Sequence, residues 1–217
     1  MRIVVVASGA LAPGDETWLD GADAVIAADG GAAILDRLGR LPDRLVGDLD
    51  SVDVALAGRL ASAGVPVDRH PVDKEASDTE LAVRTALARG ADRIDLLGVT
   101  GGDRLDHELA NLLLLADPAL ADVEIRAVVG PTSIRVLRGG ETLALHGAVG
   151  DVVTLLPVGG DARGVTTSGL RWPLDAATLP LGSTRGLSNV VVAAASVSLT
   201  DGVLLVVERR NSKELRP

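Results

Sequence analysis

Residues 24–48, AVIAADGGAAILDRLGRLPDRLVGD, read as strand, turn, helix, turn, strand. Ala24 to Ala28 is an apolar, partly β-branched run that stops at Asp29-Gly30-Gly31. Ala32 to Leu38 follows a helical period and ends at Gly39, a residue suited to the left-handed turn that closes a helix. Arg44 to Val46 is a second strand, and it also stops on a glycine and an acid, Gly47-Asp48. The alternation extends in both directions. Ile3 to Ala7 is a strand before this stretch. After it come a helix at Val54 to Ala63, a strand at Val65 to His70, a helix at Ser77 to Arg89 and a strand at Arg93 to Leu97. A helix at Leu105 to Ala116, closed by Asp117-Pro118, and a strand at Val123 to Val129 complete the series. Strands that alternate with helices form a parallel, mostly buried sheet. Such sheets bind ligands beyond the carboxyl ends of their strands. Here those ends carry Asp29, Asp48, Asp73 and Gly101-Gly102.

The pattern changes at Gly130-Pro131. Short strand-like pieces follow at Ile134 to Leu137, Thr142 to Leu145, Asp151 to Leu156, Val191 to Leu199 and Val203 to Glu208, separated by glycine-rich turns. The expected architecture is therefore a Rossmann-like α/β domain with a parallel sheet over 1–130, then an all-β sandwich over 131–217. The polar tail, Arg209 to Pro217, is expected to fray.

Composition narrows the function. The net charge of −9 argues against a nucleic-acid partner, which needs a basic face to replace counterions. It leaves phosphate substrates open, because carboxylates hold phosphates through a divalent metal. With no cysteine there is no disulfide framework, zinc-thiolate site or thiol nucleophile. The apolar runs are too short for a membrane span and the N-terminal run lacks a cleavage pattern, so a cytoplasmic protein with no membrane partner is expected. Trp18 and Trp172 are the only aromatic residues among Phe, Trp and Tyr. Trp18 reads as packing.

Three segments carry candidate chemistry. In Gly47-Asp48-Leu49-Asp50-Ser51 two carboxylates sit at i and i+2, and on an extended chain both would face one divalent ion. The alternative is a solvated loop of Asx-turns. In Asp73-Lys74-Glu75-Ala76-Ser77-Asp78-Thr79-Glu80, four acids surround one of only two lysines. Carboxylates there would hold Mg²⁺ while the lysine reaches a phosphate oxygen. Asp78 and Glu80 also suit a helix start with no metal at all, and Ser77 with Glu80 makes a capping-box signature. In the third, Gly98 to Asn111, a glycine pair and a helix start offer amides to an anion, and Arg104 can pair with a phosphate.

Taken in order, these segments resemble the thiamine pyrophosphokinase family. Gly47 to Ser51 resembles its GDxDS motif, Asp73 to Asp78 its DxxxTD segment with Ser77 in the Thr place, and Gly101 to Asn111 its GGRxDHxxAN stretch. Ala28 to Ala32, Leu41-Pro42-Asp43, Gly169 to Leu174 and Gly182 to Asn189 are similar to further family segments. The resemblance implies an α/β catalytic domain followed by a β-sandwich, working as a homodimer with thiamine in a cleft between subunits. It implies Asp48, Asp50 and Asp78 as Mg²⁺ ligands. Asp29, Gly30, Asp73, Lys74, Ser77, Gly101, Gly102, Arg104 and Asp106 would line the ATP and metal site. Asp73 would also accept the proton of the attacking hydroxyl. Trp172 would lie over the thiamine pyrimidine, with Ser188 and Asn189 hydrogen-bonding that ring.

The sequence departs from the family pattern at three places. Asp103 is inserted before Arg104, Val190 stands where many members carry Glu, and Leu49 replaces a frequent Phe. The implied reaction is transfer of pyrophosphate from ATP to thiamine, releasing AMP. The rivals are a pyrophosphokinase for another heterocyclic alcohol, such as a pterin, and a non-catalytic thiamine or nucleotide sensor.

Overall fold

The fold, obtained as a computed structural model, is described for residues 1–211. The chain divides into two compact units, one of Met1–Leu114 with Asp122–Gly130 and one of Leu115–Ala121 with the chain from Pro131 onward. The sequence reading keeps residues 115–121 with the first segment. In the structure they join the second, where the Arg138 guanidinium donates to the carbonyls of Leu115, Ala116 and Asp117.

The first unit is built on six strands, β1 (Arg2–Val6), β2 (Ala24–Ala28), β3 (Arg44–Gly47), β4 (Val67–Arg69), β5 (Arg93–Leu97) and β6 (Glu124–Val129). They lie in the order β6-β5-β1-β2-β3-β4, and every neighbouring pair is parallel. The helices α1 (Gly31–Arg37), α2 (Val54–Ser62), α3 (Asp78–Ala88) and α4 (Leu105–Leu114) follow β2, β3, β4 and β5. Parallel strands buried on both faces read as continuous apolar runs, and Ile3 to Val6 are all fully buried. Val4 and Val6 share one apolar cluster with Ile34, Leu35, Leu56 and Leu60 of α1 and α2, and Trp18 packs against it. Local chemistry sets the helix starts. Asp53 caps α2 by accepting from Leu56 N at 2.7 Å, and Ser77 caps α3 by accepting from Glu80 N at 3.2 Å. Only half of the expected capping box forms, since the Glu80 carboxylate turns to Arg84.

The second unit is antiparallel, with β7 (Thr132–Arg138), β8 (Thr142–Ala144), β9 (Val152–Pro157), β10 (Ala162–Leu170), β11 (Ala177–Leu179), β12 (Asn189–Ser198) and β13 (Val203–Arg209). Asn189 and Val190 at the start of β12 pair with β9, its end pairs with β8, and β10 pairs with it at Val191 and again at its end, so one strand links these strands around a single apolar cluster. The sequence reading contains neither β10 nor β11. Gly164 and Gly169 interrupt β10 with left-handed backbone, and its register shifts against both β11 and β12, which hides the alternation. Arg209 ends β13, and Asn211 N donates to Asp151 Oδ1 at 2.7 Å, so the fraying expected from Arg209 does not hold to 211. The rest of that expectation, 212–217, lies outside the described residues.

Candidate active site

The strand order turns back beside β1. The chain runs outward through β2, β3 and β4, then returns to the other flank with β5 and β6. A crevice opens at the carboxyl ends of strands at such a point. The cavity there has a volume of about 720 Å³ and is walled by Ser8 and Gly9 after β1, Asp29 after β2, Asp48 and Asp50 after β3, Lys74 to Thr79 before and within α3, and the loop leading into α4.

Carboxylate oxygens of Asp29, Asp48 and Asp78 lie within 4.8 Å of one another. Backbone geometry brings them together. Asp29 adopts a left-handed φ of 45°, its N–H donating to Val46 O at 2.8 Å, which turns its side chain off the sheet end. Gly47 lies between these acids. A Cβ there would lie 3.1 Å from Asp29 Cβ and 3.2 Å from Asp78 Oδ1, so a larger residue would press on both acids, which would have to give by a few tenths of an ångström. Asp29 Oδ1 is buried with no hydrogen-bond partner. Burial pushes the Asp29 carboxyl up, reinforced by the charges of Asp78 and Asp50 and opposed by the Ser51 hydroxyl. Asp48 goes the other way, held below the usual carboxylate range by the hydrogen bond from Lys74. Lys74 Nζ donates to Asp48 Oδ2 at 2.7 Å and lies 3.0 Å from Asp78 Oδ1. Burial would lower its ammonium, but these two carboxylates outweigh it and raise the group above the ordinary lysine value.

The site differs from the sequence expectation in its members. Asp50, expected as a metal ligand beside Asp48, stands outside the three-acid group. Leu49 takes a left-handed φ of 71°, so the chain turns instead of staying extended, and Asp48 Oδ1 accepts from Asp50 N at 3.2 Å. This is the Asx-turn alternative. Asp50 still lines the cavity, accepting from the Ser51 hydroxyl. Asp73, expected as the proton acceptor, is exposed and is not among the residues that wall the cavity. Gly30 and Asp106 are also absent from the wall. Ser77 lines it, its Oγ accepting from Glu80 N as the α3 cap.

In the third segment, Glu108 is the residue the sequence reading missed. Its Oε1 accepts from both Gly101 N at 2.8 Å and Gly102 N at 3.1 Å, occupying the amides expected to face an anion. Gly102 lines the cavity and Gly101 does not. Arg104 also lines it but is engaged by Asp106, at 2.9 Å through Nε and 2.6 Å through Nη2. Those hydrogen bonds hold the Asp106 carboxyl down at about 2. Asn111 pins the loop by donating to Val99 O at 3.2 Å. Glu108 one turn into the helix was the available signal, because carboxylates near a helix start find free amides.

In the second unit, Trp172 is 57% exposed, with the Arg171 guanidinium 5.7 Å from its ring centre. Asn189 does not offer its amide freely to a ring. Its Oδ1 accepts from Trp172 N at 3.1 Å and Val190 N at 2.9 Å, and its Nδ2 donates to Trp172 O at 2.7 Å. The side chain clamps the backbone that carries the indole. Ser188 sits beside it with a left-handed φ of 57° and donates its N–H to Thr154 Oγ1 at 3.0 Å.

Only oxygens face one another in the three-acid group, which is the donor set that magnesium takes, and the orphaned Asp29 Oδ1 is a position with no other partner. The residues fit such an ion.

The family model described as "Thiamin pyrophosphokinase, catalytic domain" matches residues 16–127, and "Thiamin pyrophosphokinase, vitamin B1 binding domain" matches 142–204. The chain is 28% identical over 183 residues to thiamine pyrophosphokinase of Bacillus subtilis (strain 168), covering 84% of this chain and 85% of the relative. Among solved structures, thiamine pyrophosphokinase from Bacillus subtilis superposes with a TM-score of 0.87 at 27% identity, covering 97% of this chain and all of that one. Thiamin pyrophosphokinase from Geobacillus thermodenitrificans does so with a TM-score of 0.83 at 30% identity, covering 99% and 100%.

Proposed function

The chain belongs to the thiamin pyrophosphokinase family, and on that premise we infer that it transfers the pyrophosphoryl group of ATP to the hydroxyl of thiamine, giving thiamine diphosphate and AMP. The observation that carries the reading is the meeting of three carboxylates and a lysine in one cavity at the strand ends.

Asp29, Asp48 and Asp78 would hold Mg²⁺, with Asp50 a further carboxylate on the cavity wall. The ion would neutralise charge on the triphosphate as the bridge to the β-phosphorus breaks. Lys74, with Arg104 and the Gly102 amide once Asp106 and Glu108 release them, would orient phosphate oxygens at the carboxyl ends of a Rossmann-like sheet. The hydroxyl oxygen bonds to the β-phosphorus, the bond from that phosphorus to the α–β bridging oxygen breaks, and the hydroxyl proton passes to solvent. Phosphoryl transfer of this kind depends on positioning and charge more than on a strong base, so it does not require Asp73 on the cavity wall. A cytoplasmic place of action, where ATP is supplied, completes the reading.

Trp172, carried by the Asn189 clamp, would stack on the thiamine pyrimidine. Trp172→Ala is expected to raise the KM for thiamine about fivefold with little change in the KM for ATP, since stacking contributes on the order of 1 kcal/mol. Equal rises for both substrates would remove the assignment.

A homodimer belongs to the same proposal. Leu105, Leu109 and Leu113 are exposed at i, i+4 and i+8 of α4, an apolar stripe of the kind subunit contacts cover. Sedimentation equilibrium returning the 22.1 kDa mass of one chain at micromolar concentration would exclude it.

The reading as a whole is tested by incubating the protein with ATP, Mg²⁺ and either thiamine or a hydroxymethyl pterin. AMP release that depends on thiamine is expected. Release with the pterin alone would favour the rival substrate class, and binding of thiamine without AMP release would favour a sensor.

A further inference from the structure

Lys74 does not face open solvent. Its side chain is 13% exposed, and its ammonium sits between Asp48 Oδ2 at 2.7 Å and Asp78 Oδ1 at 3.0 Å. Those are two of the three acids whose oxygens lie within 4.8 Å of each other. The third, Asp29, is 6% exposed, and its Oδ1 has no hydrogen-bond partner. Three carboxylates this close carry strong mutual repulsion, and among the described residues Lys74 is the cation that pairs with them. A divalent cation and the lysine therefore compete for the same two oxygen positions.

We propose that Lys74 is an internal counter-cation for the Asp29–Asp48–Asp78 group, which gives up its two carboxylates to a divalent ion and presents the released ammonium to the cavity. The proposal rests on the reading above and adds a consequence that reading does not contain. Lys74 opposes metal binding when no nucleotide is present and supports nucleotide binding once the metal is in place. The two effects of one substitution must then have opposite signs. The wider site is built in a related way. The glycine amides are held by Glu108 and Arg104 by Asp106, so its anion-binding groups are satisfied internally before any ligand arrives.

The test titrates Mn²⁺ into wild-type protein and Lys74→Met without nucleotide, by calorimetry and by the electron paramagnetic resonance signal of the free ion. Loss of a competing positive charge a few ångströms from the site is expected to tighten Mn²⁺ binding about tenfold, while the KM for ATP rises. Lys74→Arg, which keeps the charge, is expected to bind Mn²⁺ within about threefold of wild type, a difference of about 0.6 kcal/mol. Unchanged or weaker Mn²⁺ binding by Lys74→Met overturns the proposal. A second measurement needs no substitution. Lys74 and Lys213 are the chain's only lysines, so acylation of Lys74 in wild-type protein can be followed by mass spectrometry relative to Lys213. The relative rate is expected to rise several-fold on adding Mn²⁺, and a constant or falling rate overturns the release of Lys74. Wild-type protein that binds no Mn²⁺ and releases no AMP with thiamine would instead overturn the underlying functional reading.

Discussion

Replacing Asp48 with asparagine is expected to cut thiamine-dependent AMP release by on the order of a thousandfold, because the metal's charge stabilisation is worth several kcal/mol and each 1.36 kcal/mol is a factor of ten. The Lys74 hydrogen bond secures the negative charge of Asp48, holding its carboxyl below the usual range. Asparagine keeps the shape and one oxygen, but it removes the charge and the tight partner of Lys74. Stability should fall only by the small amount that one ion pair on the cavity wall contributes, since the depressed Asp48 carboxyl means that the fold favours its charge. Three acids within 4.8 Å of one another repel, and Lys74 keeps Asp78 at 3.0 Å. Functional sites commonly hold such strain at the expense of stability. The measurement is a pair, AMP release at saturating Mg²⁺ and the thermal melt. Activity within about tenfold of wild type would remove Asp48 from the metal site. A melt lowered by on the order of 10 °C would mean that lost folding, not lost chemistry, explains the inactive protein.

The second large effect is on folding and lies away from the cavity. Asp95, in the middle of β5, is fully buried. Its Oδ2 accepts from Arg2 Nε at 2.7 Å, and its Oδ1 accepts from Arg126 Nε on the neighbouring strand. The Arg126 guanidinium stacks 4.1 Å above the Trp18 ring, while Arg2 also donates to the carbonyls of Trp18 and Asp20. One carboxylate thus balances two largely buried cations that bind the edge of the apolar core. Asp95→Asn would strand both, and breaking a buried ion pair from one side costs about 3–5 kcal/mol. For a chain of this size the melting temperature should drop by on the order of 10 °C. AMP release measured well below the melt should survive, because Asp95 does not line the cavity. A combined Asp95→Leu, Arg2→Met, Arg126→Leu protein separates the explanations. If stranded charge is the cause, the triple variant should melt near wild type, as apolar replacements of whole ion groups commonly do. A single variant melting within about 2 °C of wild type would show that the triad contributes little.

Part of the candidate site's geometry was legible in the sequence, and the differences have physical causes. Ser77 capping α3 follows from neighbours three residues apart, and it appears as expected. The glycine pair before α4 was visible too, but its amides go to Glu108. Carboxylate placement was legible only for Asp48 and Asp78. Whether Asp50 points with them depends on the left-handed turn at Leu49, whose side chain packs against the apolar cluster. That contact is made with residues distant in sequence and leaves no local signature. Asp29 joins the group because β2 and β3 pair with Ala28 opposite Val46 and because Gly47 leaves room.

The sequence by itself determined the elements of the first unit. Buried parallel strands must be apolar runs, helices must present caps and stops, and each signal spans only a few residues. It also supplied the inventory of acids, one lysine and an exposed tryptophan from which a phosphate-metal site could be assembled. Tertiary structure alone decided the selection. Strand order put β5 beside β1 and gathered five loop ends at one cavity. Pairing register and one left-handed turn chose Asp29 over Asp50, and Asp73 was left in solvent. The reason is that conformation along the chain is set by near neighbours, whereas the convergence of charges is set by packing between segments far apart in it.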